Sequence, residues 1–161
     1  MPIPDTNETL LCPSSQPGVP GCRVLGVVQQ GSEGPEVEYL NEHLPATPEV
    51  FAMASPANPT EVFRLAAECQ TRRCPHFDGA DCRLATRIVQ ILPAVVSALP
   101  ACLIRGRCRW FRQEGPAACR RCPQVTTVNH ENSATVQRIS GLPPMVRCHQ
   151  RTDANPLPAT A

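Results

Sequence analysis

Cysteine is the residue type in this chain with the most chemistry in it. Ten are present in 161 residues, and Cys69, Cys74, Cys82, Cys102, Cys108, Cys119 and Cys122 fall within one stretch of 54 residues. Their spacings are C-x4-C-x7-C followed by C-x5-C-x10-C-x2-C. The second group alone supplies four thiols, the number that a [4Fe–4S] cluster takes from its protein. Within it, CRRCP spaces Cys119 and Cys122 so that two thiolates of one turn can aim at one centre, and Pro123 stops the backbone from closing a helix over the site. Cys12 and Cys74 are also followed by proline.

Whether these thiols hold a metal or pair as disulfides depends on the compartment. No lysine or arginine precedes Arg23, and the first ten residues hold Pro2, Pro4, Asp5 and Glu8, so nothing there reads as an export signal. The apolar stretch around Ile88 to Leu99 is broken by Gln90, Pro93 and Ser97, and it falls short of the roughly 20 residues that span a bilayer. The expectation is a soluble, cytoplasmic protein with no membrane partner, and in a reducing cytosol clustered cysteines point to metal.

Composition agrees with a metal-stabilised body. Only six residues are aromatic, Tyr39, Phe51, Phe63, Phe77, Trp110 and Phe111, so the core is thin. A thin core gains from metal or cross-links. Charge is also divided along the chain: residues 1–63 carry eight acids against Arg23, whereas residues 64–121 carry eleven arginines against Glu68, Asp78, Asp81 and Glu114. The basic half is the cysteine-rich half. Arginines beside a cluster of four thiolates would offset its negative charge; as a solvated face they would do nothing special.

The elements that must position the thiols follow from patterning. CRVLGVVQQ and PEVEYL around GSEG predict an N-terminal β-hairpin. Thr47 before Pro48 and Glu49, and Thr60 before Glu61, predict two short helices, the second ending at Cys69. Asp81 is the expected N-cap of the best helix, in which Leu84, Ile88, Ile91, Leu92 and Val95 share one face. Pro93 should kink or restart it. A continuous helix from Cys82 to Cys102 would hold them about 30 Å apart at 1.5 Å per residue. Two sites are therefore favoured over one: Cys102, Cys108, Cys119 and Cys122 form one set, and Cys69, Cys74 and Cys82 form the other, completed by Cys12 or Cys22. The boundaries expected are an irregular segment over 1–20, a cysteine-rich domain over 21–127 and a disordered tail over 128–161. The fold class is small α+β, mainly helical and irregular.

Zinc is the alternative metal, since four cysteines make a closed structural site, but zinc ribbons pair C-x2-C knuckles and one such pair is present here. Trp110 and Phe111 would pack the core or shield a cluster from water. His76 reads as a loop histidine, with general-base help to Cys74 as its functional version. Cys148 with His149 sits in the tail and is given no role. No G-x-G-x-x-G, phosphate-binding loop or H-E-x-x-H occurs, so no catalytic residue is assigned.

PTEVFRLAAEC, HFDGADCRLATRIVQILP, CRWFRQEG and AACRRCPQV together resemble a group of uncharacterised cysteine-rich proteins of cyanobacteria and actinomycetes, some labelled nitrogen fixation proteins. The likeness runs from about Cys12 to Thr127. It implies an iron–sulfur protein whose matching thiols are Cys12, Cys22, Cys69, Cys74, Cys82, Cys102, Cys108, Cys119 and Cys122. The function expected is electron transfer, redox sensing or service as an accessory or regulatory subunit, on one or two [4Fe–4S] clusters, with another protein as redox partner or larger enzyme. The competing expectation is a zinc module that binds nucleic acid or protein, its arginines neutralising phosphates.

Overall fold

The computed structural model describes residues 8–127 and 134–141. Four strands form an antiparallel sheet in the order β1-β4-β2-β3, built from β1 (Leu11–Cys12), β2 (Arg23–Gly31), β3 (Gly34–Pro45) and β4 (Phe63–Glu68). The predicted hairpin is β2–β3, closed by the two residues Ser32 and Glu33, with Gly31 opposite Gly34. An irregularity between Val24 and Gly26 bends β2 against both of its neighbours. Gly26 is required there, because a Cβ would stand 2.5 Å from the Glu38 carbonyl oxygen and 2.7 Å from Val37 Cγ1.

The segment from Pro48 to Cys69 departs in part from expectation. Thr47 caps α1 (Pro48–Ala52), accepting a hydrogen bond from the Val50 N–H, as predicted. The second helix, α2 (Pro59–Val62), is a single turn capped by Asn58, and strand β4 rather than a helix delivers Cys69. Tertiary pairing overrides the helical bias of Leu-Ala-Ala here: β4 lies between β1 and β2, and its first five residues are buried on both faces. The pleat alternates side chains between faces. Phe63 and Leu65 join Val24 and Ala54 on one side, and Ala66 joins Leu25, Ile88, Ile104 and Trp110 on the other.

On the Ala66 side lie α3 (Arg83–Ile91), α4 (Arg109–Glu114), α5 (Pro116–Cys119) and short 3-10 turns at Thr71–Arg73, Arg105–Arg107 and Cys122–Gln124. Helix α3 buries Ala85 and Ile88, with Leu84 and Leu92 packed against the same core. It ends at Ile91, and no helix restarts between Pro93 and Ile104, so the predicted run through Val95 stops two residues before the proline. The N-cap is Cys82, not Asp81. Asp78 instead organises the preceding turn, its Oδ1 accepting the N–H groups of Ala80 and Asp81 at 3.0 and 2.8 Å. Those two donors and Arg83 hold the Asp78 carboxyl below its usual range.

Three further expectations change. The body is mixed α+β with the sheet at its centre, not mainly helical, because the cysteine-rich half is laid on strands rather than bundled with helices. Residues 1–20 are not wholly irregular, since β1 pairs with β4. Inside the stretch predicted as a disordered tail, α6 (Ala134–Ser140) packs Ile139 on the core, and Arg87 donates to the Ser140 carbonyl at 3.5 Å. Cys148 and His149 lie outside the described residues.

Replacing Gly26 with alanine should destabilise the protein by about 1–3 kcal/mol, the range for inserting a methyl group where backbone cannot yield. Denaturant unfolding followed by circular dichroism measures this, and an unchanged midpoint would show that the hairpin can move aside.

Candidate metal centre

All nine cysteines among the described residues are free thiols. Cys102, Cys108, Cys119 and Cys122 line one cavity, together with Pro13, Leu25, Tyr39, Arg105, Trp110 and Phe111. The set read from spacing as one site is therefore gathered by the fold around one space. Each member arrives differently. Cys102 lies in the irregular segment after Pro100, Cys108 is the N-cap of α4, Cys119 closes α5, and Cys122 opens the following 3-10 turn. Gly115 makes the reversal between α4 and α5 possible: it is both the C-cap of one and the N-cap of the other at φ +63°, a conformation glycine adopts without strain.

Burial pushes the Cys108 thiol up to about 12, against the pull of the Phe111 and Trp110 N–H groups, with Cys122 and Cys102 adding repulsion. Burial also raises Cys102, opposed by the Ile104 N–H, while Cys122 and Cys119 raise it further and Arg105 lowers it. Cys102 and Cys108 thus feel other thiols of the set.

Cys12, Cys69, Cys74 and Cys82 are cysteines of the other expected set. Burial pushes Cys12 up to about 12, opposed by the Ser14 N–H, with further increases from Cys69 and Cys82. Burial likewise raises Cys82, the N–H groups of Ala85 and Leu84 draw it back, and Cys74 and Cys69 repel its charge. The sheet accounts for this meeting. Cys12 pairs with Ala67, the Cys69 N–H donates to the Leu10 carbonyl at 2.8 Å, and the turn from Cys74 to Cys82 is closed by a bridge between Phe77 and Cys82. Of the two candidates for fourth member, Cys12 is the one placed here. Cys22 lies elsewhere, against the apolar group of Val24, Phe63 and Leu65.

Side chains fasten the two sets to each other. Gln113 of α4 grips the Cys82 peptide twice, Oε1 accepting from its N–H at 2.8 Å and Nε2 donating to its carbonyl at 3.0 Å. Leu11 forms a parallel bridge with Cys108, so the two residues of β1 reach both sets. Most arginines beside the cysteines serve neither as free surface charge nor as partners of sulfur. Arg105 donates to the Pro100 carbonyl, Arg112 to Gly106, Arg120 to Ser97, and Arg121 to Leu92 and Ala117. They tie irregular backbone whose carbonyls no helix or strand satisfies.

No family model, curated protein or solved structure matches the chain. Two residues lining the first cavity carry buried donor atoms without a partner, Arg105 Nε and Trp110 Nε1. Burial, above all, raises the Tyr39 phenol, with its contact and hydrogen bond to Cys122 adding to the rise, and this keeps it a donor. Among the described residues no three Cys, His, Asp or Glu side chains come close enough to grip a single metal ion. His76 is half-buried, its pKa lowered by burial and by Arg87, and its carbonyl receives the Arg83 N–H at 2.7 Å.

Spacing and type did not single out Tyr39 or Arg64. Arg64 carried one signal, as the single charge in the apolar run VFRLAA.

Two predictions follow from the burial of these thiols. Cys12 and Cys108 stay protonated to about 12 in the folded protein but titrate near their ordinary 9.0 when unfolded. A raised folded value means that the unfolded chain loses protons first, so the stability of reduced, metal-free protein should hold below about pH 9 and fall above it. Urea melts at pH 7.5, 9 and 10.5 read this directly, and a flat profile would contradict the burial. Gln113→Ala should cost about 1–3 kcal/mol by leaving the Cys82 peptide groups unpaired, and differential alkylation followed by mass spectrometry should show Cys82 as the thiol most accelerated.

Proposed function

We propose that this protein carries two cysteine-ligated iron–sulfur clusters of the [4Fe–4S] type, one held by Cys102, Cys108, Cys119 and Cys122, the other by Cys12, Cys69, Cys74 and Cys82. It serves as an electron-transfer, redox-sensing or accessory subunit that docks on another protein. The observation that carries this reading is the cavity itself, where four thiols share one space with Arg105 and Trp110, each of which has a buried donor without a partner.

A buried donor without a partner costs about 1–3 kcal/mol. Such groups are tolerated where a ligand supplies acceptors. The inorganic sulfides of a cluster are acceptors, and hydrogen bonds to sulfur are one of the means by which a protein sets a cluster's potential. A zinc ion on the same thiols would bring no acceptor atom, and it would require sulfurs about 2.3 Å from one point.

When bound, each cluster supplies one-electron storage. The chain's own residues do the rest. Trp110 and Phe111 cover the first centre with apolar surface, Trp110 being 1 % exposed, and this limits water at the sulfurs. Leu103, 44 % exposed beside Cys102, and Val95, 43 % exposed, give the same region an apolar face to a partner. Free thiols in every described position fit a reducing compartment, so the cytoplasm is the proposed location. Among the described residues no helix is long and apolar enough to cross a membrane. The resemblance of the cysteine motifs to uncharacterised cysteine-rich bacterial proteins, which implies an iron–sulfur group, is in keeping with this reading.

Anaerobic purification with iron, acid-labile sulfide and zinc analysis tests the proposal. About eight iron and eight sulfide per chain are expected for two such clusters, with a broad absorption near 400 nm. Cys119→Ser should halve both, whereas Cys22→Ser should leave them unchanged. Zinc without sulfide would overturn the reading.

A further inference from the structure

The strand order leaves β3 at one edge of the sheet and β1 at the other. β1 is closed off: it is two residues long, and Leu11, paired with β4, also bridges to Cys108. β3 is open. Among the described residues, the backbone groups of residues 34–44 bond to no element but β2. Every second residue of an antiparallel strand points its N–H and C=O away from its partner, so β3 carries a row of unpaired donors and acceptors along its free side.

Soluble proteins commonly guard such an edge with proline, lysine or a bulge. In β3 the prolines, Pro35 and Pro45, stand near its ends, and lysine is absent from the chain. The irregularity comes only after Tyr39, where residues 40–43 have no partner on β2 before Leu44 meets Val24. Residues 34–39 pair one for one with residues 26–31. Val37 in this run is 5 % exposed, and Tyr39 packs on the core, so the open edge is fixed to the body of the protein.

Glu33, Glu36, Glu38 and Glu42 are exposed along the same hairpin, and no arginine lies between Arg23 and Arg64. The ion pairs among the described residues are Arg83 with Asp78 and Arg107 with Glu8, so these four acids have no cation there. Glu38 accepts a hydrogen bond from Gln29. Glu36 and Glu38, two apart, share one face of the strand. If two copies paired antiparallel about Val37, Glu36 of each would stand opposite Glu38 of the other, and like charges directly opposite destabilise a sheet. Acids that turn away a second copy suit a strand with the opposite charge at the same spacing.

We infer that the free side of β3, over residues 34–39, receives an extended basic segment of another protein, which joins the sheet as an added strand with arginine or lysine at alternate positions facing Glu36 and Glu38. Main-chain hydrogen bonds supply the affinity of such strand addition, and the charge pairs select the partner. About five residues of partner suffice, the usual length of a strand. No cysteine lies on β3, so this surface is independent of the iron–sulfur reading.

The test titrates the full chain with a capped, dye-labelled peptide, Thr-Val-Arg-Val-Arg-Val-Thr, followed by fluorescence anisotropy. Binding should saturate, and amide hydrogen exchange read by mass spectrometry should slow over residues 34–39. The double variant Glu36→Gln, Glu38→Gln changes exposed side chains only, and it should weaken binding about tenfold through the loss of two cross-strand charge pairs. The same peptide with glutamates for its arginines should not bind. Methylating its valine nitrogens removes the strand's donors and leaves its charge, and this too should abolish binding. Equal binding by the methylated peptide would show attraction by charge alone and overturn the inference, as would no binding, or protection confined to residues outside the hairpin. A chain that sediments as a dimer protected over residues 34–39 would assign the edge to a second copy and overturn it as well.

Discussion

A guanidinium without a carboxylate lies where β4 meets the cysteine-rich half, and the arrangement of that half is built around keeping it satisfied. Arg64 takes carbonyls from residues 13, 122 and 125, which belong to segments far apart in the chain, and it rests on the buried face of Trp110. Pulling any of these away would expose the charge to an apolar interior at high cost. The contacts that satisfy the arginine also fix Pro13 and Cys122 against the sheet, and through them a thiol of each set. Positional precision at the sulfurs is a by-product of solving an electrostatic problem in the core.

The remainder of the body shows how a chain poor in aromatic residues holds irregular backbone in place. Helices α4 and α5 are short, and the segment from Pro93 to Ile104 has no regular structure. Carbonyls there cannot be satisfied by a ladder, so arginine side chains reach them instead. Arginine suits this task because its fork presents several donors on a long, partly apolar stem. The concentration of arginine around the cysteines, which by sequence could be a counter-charge or a solvated face, turns out to be mostly a set of backbone clamps, buried Arg64 among them.

The sheet and the thiols depend on each other through β1. Two residues are too few to hold a strand by pairing alone, but Leu11 is buried, pairs with Glu68 and bridges to Cys108. This brings Cys12, distant in sequence from the other cysteines, beside Cys69 and Cys82. Gln113 performs the matching task from the other side by seizing the Cys82 peptide from α4. The two thiol sets are therefore parts of one packed unit rather than independent loops.

The sequence by itself determined the local features: the hairpin, the Thr47 cap, the stop before Pro93, and the grouping of Cys102, Cys108, Cys119 and Cys122. Each depends on near neighbours, whether a turn pair, a cap, a missing N–H or a short spacing, and so is written in a few consecutive residues. Long-range pairing decided the rest. FRLAAE is a strand because β1 and β2 flank it, although its composition suits a helix equally well. Cys12 lies near Cys69, and Cys22 does not, because the register of β1 on β4 places it there. Arg64 gains its role from carbonyls and a sulfur more than fifty residues away in sequence. No local pattern encodes such meetings, because the free energy that selects them comes from burial and charge shared across the whole fold.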